Sequence, residues 1–395
     1  MAPEHRKHRP SLQGRLHRTI NRGGSQPSLH ANKHPGCYES PAMSPRSKRP
    51  VEGTLIRVHY DAGWGNRITL RGSKPPLAWS VGEPATWSEG HVWTYVWPRS
   101  AGKLEFKPLL NDRVWSVGGN YQLRAGAPVD IYPSFTPGAG TLEKKHDFFS
   151  PQLNNSRTLI LSLPPSYVDN PLKRYPVLYM HDGQNCFEDS TSFTGVSWGV
   201  DRTREALVAK GLMDEVIVVG ISNLGRERSY EYTAGPRSER FGGADLYGRF
   251  LVETVKPWVD SRYRTLPGRE DTALMGSSLG GLISFYLGTR YPHVFSKVAS
   301  LSSAFGWNGV DLVNEVYSWR EPLPVKFYID AGTNRDPWIP TQRMKEALQS
   351  KGYVQGEGLY HYEHKGGRHT EASWAARVHR PLGYLFPWQS ASSPR

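Results

Sequence analysis

Three residue types in one order suggest acyl-transfer chemistry. Ser278 sits inside Gly276-Ser277-Ser278-Leu279-Gly280, acids follow at Asp330 and Asp336, and His369 comes after Gly366-Gly367-Arg368. A serine hydroxyl near pH 7 is a poor nucleophile and needs a base, usually a histidine that a carboxylate orients. The spacing around Ser278 fits a nucleophile elbow: a strand end at Ala273-Leu274-Met275, a tight turn, then a packed helix from Leu282. Such a turn tolerates only small flanking residues and lifts the hydroxyl over the sheet edge, at the positive end of the helix. Ser277 is not equivalent, because centring the pattern on it puts Leu279 where the second glycine belongs. Asp336, in the loop after the strand ending at Ile329-Asp330, is the preferred orienting acid. Asp330 is the alternative, placed at the strand end where it would hold the loop. His369 is the preferred base; His361 and His364 lie on the preceding strand-like run and read as surface or structural residues. The tetrahedral oxyanion needs two N–H donors. Leu279, directly after the serine, supplies one, and Gln184 of His181-Asp182-Gly183-Gln184-Asn185 the other, with Gly183 permitting an unusual backbone.

The elements that must hold these residues fall into two regions. Between 51 and 135 the chain alternates with period two in short runs (55–60, 67–71, 92–96, 103–107 and 129–132), which predicts an all-β sandwich. Residues 136–141 read as a linker. From 142 to 388, apolar strands at 159–161, 176–180, 216–221, 273–275, 297–301 and 325–329 are interleaved with helices predicted over 202–210, 245–260, 281–290, 340–351 and 371–385. That alternation describes an α/β domain on a buried, mostly parallel sheet; residues 389–395 are a short tail.

The 395-residue chain carries a net charge of +13, and residues 1–50, with ten basic and two acidic residues, hold eight of those charges. That segment has no apolar periodicity and is expected to be a disordered basic tail; a start at Met43 would omit most of it. With the charge concentrated there, its distribution argues against nucleic acid as a partner. No apolar run is long enough to span a membrane and no signal-peptide core opens the chain, so the expected location is cytoplasmic. Cys37 and Cys186, the two cysteines, imply neither a disulfide framework nor a thiolate metal site.

Six blocks in order carry a resemblance: His181-Asp182-Gly183-Gln184-Asn185, Trp198-Gly199-Val200-Asp201, Val218–Asn223, Glu231-Tyr232-Thr233, Gly276–Gly281 and Gly366-Gly367-Arg368-His369. Together they resemble the putative esterase family of α/β-hydrolases, which includes enterochelin, feruloyl and acetyl-xylan esterases. The resemblance implies an α/β-hydrolase fold, Ser278 as nucleophile, His369 as base and an acid from the Gly332–Asp336 loop, with no metal or organic cofactor. Relatives often carry the acid three residues after the loop glycine; here it is four.

The expected activity is hydrolysis of a carboxylic ester of a carbohydrate or small molecule through an acyl-enzyme. One alternative is a siderophore esterase, for which Arg226, Arg228 and Arg237 would line a basic pocket. Another is a non-catalytic glycan-binding protein on a degenerate hydrolase fold. The sandwich segments 60–66, 104–107 and 115–121 resemble starch-binding modules, which implies polysaccharide stacking on Trp115, with Trp79 or Trp64 as a second platform. A purely structural role for the sandwich competes with that reading.

Overall fold

The computed structural model describes residues 53–98, 102–124, 126, 128–236, 238, 241–307 and 311–388. The predicted basic tail and the C-terminal tail lie outside these residues. In the N-terminal region the alternation translates directly into burial: along Gly53–His59 every second residue is buried. One sheet runs Thr86–Ser88, Val92–Pro98, Gly53–His59, Val129–Ile131. The other is built on Ile68–Gly72 and Lys103–Leu110, with Val114–Trp115 and Tyr121–Arg124 both paired to the latter. Ile56, Val58, Leu70, Trp97 and Phe106 fill the core between them.

The 136–141 segment is pinned rather than loose. Thr136 Oγ1 donates to Asp169 at 2.5 Å, and the Gly140 N–H donates to Glu205 at 2.8 Å. The C-terminal Trp388 closes back over the sandwich, its Nε1 donating to the Asn120 carbonyl at 3.1 Å.

The α/β region is built on an eight-stranded sheet in the order Thr141–Ser150, Asn155–Leu163, Ile217–Ile221, Val177–His181, Thr272–Ser277, Lys297–Leu301, Lys326–Gly332, Leu359–His364. The first two junctions are antiparallel and the rest parallel. Alternate side chains of the central strands feed two cores, one on each face. Val177, Tyr179 and Leu274 face the helix Leu279–Arg290, whereas Leu178, Met180 and Met275 face the helices after Gly199 and Thr370.

Sequence periodicity missed or blurred several elements. The edge strand Thr141–Ser150 is almost wholly exposed and charged, so it shows no apolar pattern. The predicted helix 245–260 is a run from Ala244 to Arg262 with a π-helical stretch at Phe250–Val255. Pro257, which has no N–H to give the Glu253 carbonyl, explains the local widening. The predicted helix 371–385 is two, Glu371–Arg377 and His379–Leu385. Pro381, unable to donate to the Arg377 carbonyl, separates them.

The chain passes from Val177–His181 to the neighbour on one side, Ile217–Ile221, and then to the neighbour on the other, Thr272–Ser277. The carboxyl ends of Val177–His181 and Thr272–Ser277 therefore flank a topological switch point, where open α/β sheets form their ligand crevices.

Candidate active site

Ser278 leaves the strand Thr272–Ser277 with φ 59° and ψ −123° and heads the helix that begins at Leu279. That backbone is strained for a residue with a side chain. Its N–H is anchored on the Leu301 carbonyl at 3.0 Å. The small-residue requirement has a specific cause: a Cβ on Gly276 would lie 2.5 Å from the carbonyl carbon and oxygen of Gly280, backbone atoms that cannot step aside.

The predicted serine, histidine and acid come together. His369 Nε2 lies 2.9 Å from Ser278 Oγ, and Nδ1 lies 2.6 Å from Asp336 Oδ1. Asp336 Oδ2 also accepts from Ser302 Oγ at 2.6 Å and from the Gly332 N–H at 2.5 Å. Burial works against a charge on Asp336, but the hydrogen bonds from His369, Ser302 and Gly332 outweigh it and hold the carboxyl below the usual carboxylate range.

Asp330 has other partners. Arg377 grips it through Nε at 2.9 Å and Nη2 at 3.0 Å, Tyr328 OH donates at 2.8 Å and the Ser302 N–H at 3.2 Å. This fully buried pair braces the loop from beneath. Ser302 connects the two aspartates: its hydroxyl accepts from Trp374 Nε1 at 2.9 Å and Arg377 Nη2 at 2.6 Å, which directs its proton to Asp336. The Trp374 ring also meets the His369 imidazole edge to face, centroids 5.1 Å apart.

The loop after Val177–His181 corrects one expectation. The left-handed residue there is Asp182, at φ 57° and ψ 46°, not Gly183. Gly183 is required by close approach, since a Cβ on it would lie 2.6 Å from the Ile221 nitrogen. The Asp182 carboxylate is held by Asn223 Nδ2 at 2.7 Å and by Arg228 through Nε at 2.7 Å and Nη2 at 2.8 Å. The Gln184 side chain accepts from the Asn223 N–H at 3.2 Å. Among the described residues no acceptor takes the backbone N–H of Gln184 or of Leu279. Behind the loop, His181 Nδ1 lies 2.9 Å from Tyr247 OH, and burial pushes this histidine down to about 4.

A cavity of about 440 Å³ opens over Ser278 and His369, with Gln184, Arg228 and Glu371 in its wall and Phe193 at its rim. Arg228 is the one of the three predicted arginines that lines it; Arg226 is exposed and does not, and Arg237 lies outside the described residues. His361 and His364 stay on the strand Leu359–His364, away from Ser278. No group of three or more metal-ligating side chains occurs among the described residues, and no described helix is long and apolar enough to cross a membrane.

On the sandwich, Trp79 and Trp115 stand together with ring centroids 6.3 Å apart and planes 38° from parallel. Arg71 lies 5.3 Å over Trp115, fixed by Asp112 at 2.8 Å. Trp64 is fully exposed in the turn before Ile68 and makes no ring contact with either.

Residues 150–385 match the Putative esterase family, and the chain belongs to it. The chain is 30% identical over 247 residues to the Bacillus subtilis protein YjcH, a match covering 60% of this chain and 94% of that one. It is 22% identical over 375 residues to the iron(III) enterobactin esterase of Dickeya dadantii, covering 86% of this chain and 79% of the relative. The fold is shared with a ferulic acid esterase from the anaerobic fungus Anaeromyces mucronatus, with TM-score 0.51 and 24% identity over 62% of this chain and 90% of that one.

Proposed function

We propose that the protein is a serine carboxylesterase in which Ser278 attacks the ester carbonyl, His369 takes and returns the proton, and Asp336 orients the imidazole. The observation that carries this reading is the Asp336–His369–Ser278 relay at 2.6 and 2.9 Å, ending on a serine in a strained elbow. With Nδ1–H donating to Asp336, the Nε2 lone pair faces the hydroxyl, as general-base catalysis requires. The free N–H groups of Leu279 and Gln184 receive the oxyanion. Collapse of the tetrahedral adduct releases the alcohol, which takes the proton from Nε2. Water, deprotonated by the same nitrogen, then hydrolyses the acyl-enzyme. The chemistry needs no cofactor. Hydrolysis of p-nitrophenyl acetate by wild type and Ser278→Ala tests it. A loss of several orders of magnitude is expected, and equal rates refute it.

A siderophore ester is a second reading, because the enterobactin esterase similarity extends over 86% of the chain, well beyond the α/β region. A catecholate triester compared with simple acetyl and feruloyl esters separates the two. For the sandwich we propose glycan binding on the Trp79–Trp115 pair, residues 39% and 41% exposed despite their size. Flat indole faces stack on the axial C–H groups of sugars. Titration calorimetry with soluble starch and xylan checks it: loss of binding in Trp115→Ala is expected, and no heat with wild type refutes it.

A further inference from the structure

One side chain in the cavity wall has no explanation in the proton relay. Glu371 is only 7% exposed, lines the same cavity as Ser278 and His369, and follows the helix cap Thr370. Among the described residues its carboxylate accepts no hydrogen bond and closes no ion pair within 4 Å, and the Arg228 guanidinium attracts it only through space. A first-turn glutamate favours its helix equally well from the surface; this one is instead set in the cavity wall, within electrostatic reach of Arg228.

The groups around it define the partner. Arg228 spends Nε and Nη2 on Asp182, which leaves Nη1 as a donor in the same wall. Asp182 and Glu371 both act on this one guanidinium, two carboxylates to one cation, so the wall carries an excess of acceptors. An acceptor with a donor nearby suits a neutral hydroxyl, which gives its proton to the carboxylate and accepts from the guanidinium. An anionic group would instead face uncompensated repulsion. At the rim, Phe193 is 87% exposed and offers a flat apolar face for the ring that bears the hydroxyl.

We infer that Glu371 is the specificity-determining residue of the Ser278 cavity, selecting esters whose acyl or alcohol moiety is an uncharged, hydroxyl-bearing ring. This rests on the esterase reading above and narrows it away from anionic metal-chelate esters. A phenolic acyl group and a sugar alcohol share this chemistry, and two substrate pairs distinguish them: methyl 4-hydroxycinnamate against methyl cinnamate, and acetylated xylose against cyclohexyl acetate.

For wild type, kcat/KM is expected to favour the hydroxylated member of at least one pair by about 10- to 100-fold, the range for a hydrogen bond to a charged group. Glu371→Gln keeps the shape and removes the charge, and is expected to lower that ratio about tenfold. Glu371→Asp, which keeps the carboxylate, is expected to restore part of it. A wild-type ratio near one, or a ratio that Glu371→Gln leaves unchanged, overturns the assignment. Wild type that hydrolyses none of the four esters refutes the esterase reading instead. Calorimetric binding of the same esters to Ser278→Ala, with and without Glu371→Gln, then reads recognition without turnover, and equal affinities overturn the assignment.

Discussion

Asp330 and Asp336 lie six positions apart, both have side chains shielded from solvent, and they are predicted to fail in opposite ways when changed to asparagine. Asp330 faces Arg377 in a pair with side-chain exposures of 0% and 2% and accepts four hydrogen bonds. Neutralising it strands a buried guanidinium, a change that typically costs about 3–5 kcal/mol. Asp336 Oδ2 lies 3.7 Å from Arg377 Nη2 and offers that cation a second partner, so the lower end, about 3 kcal/mol, is expected. That corresponds to a fall in Tm of roughly 5–10 °C. Turnover of p-nitrophenyl acetate by the folded fraction should stay within about tenfold of wild type.

Asp336→Asn should do the reverse. The amide can donate to His369 Nδ1, which forces the proton onto Nε2 and removes the lone pair that faces Ser278. A loss of about 10⁴-fold in kcat follows from such a tautomer reversal, with stability reduced by only about 1–2 kcal/mol for one weakened hydrogen-bond set. Thermal melts by circular dichroism and initial rates on the same preparations measure both quantities. Near-normal turnover in Asp336→Asn, with loss of turnover in well-folded Asp330→Asn, would falsify the assignment of roles.

Ser302→Ala removes the hydroxyl shared by Asp336, Trp374 and Arg377; kcat is expected to fall about tenfold and stability by about 1–3 kcal/mol, read by rates and urea denaturation. Gly276→Ala drives a methyl group onto the Gly280 carbonyl and shifts the elbow. A stability loss of about 1–3 kcal/mol and a kcat loss of about 10²-fold are expected, and unchanged kinetics would count against the packing argument. His181 has a folded pKa depressed by burial to about 4 against 6.5 unfolded, so its contribution is complete above pH 6.5 and is lost as pH falls toward 4. His361 is depressed by burial to about 4 as well, so the test compares variants: the stability lost between pH 7.5 and pH 5 in urea denaturation should be about 2 kcal/mol smaller in His181→Asn than in wild type, and an equal loss would contradict its burial as a neutral ring.

The elbow was legible because its turn demands particular residue types at fixed positions, and the clash at Gly276 leaves a local signature. His369 was legible through its order in the chain and the two glycines before it. The choice between Asp330 and Asp336 was not, since both follow the same strand and only the loop path decides which carboxylate faces the imidazole. Ser302, Trp374 and Arg377 left no sequence signal at all: they come from different elements and meet around one hydroxyl. In the loop after Val177–His181 the pattern identified the segment but assigned the unusual backbone to Gly183, because glycine is the usual left-handed residue. Asp182 takes that conformation instead, clamped by Arg228 and Asn223 from another loop. The edge strand Thr141–Ser150 was invisible for the opposite reason, having almost no buried face to record.

Covalent trapping tests the central claim most directly. Wild-type protein is treated with phenylmethanesulfonyl fluoride, its intact mass and peptide map are recorded, and residual esterase activity is followed on the same sample. One adduct per chain, on Ser278 and not on its neighbour Ser277, forming in step with loss of activity and abolished in His369→Ala, is the predicted result. Full ester turnover with Ser278 unmodified, or inactivation through a different residue, would contradict it.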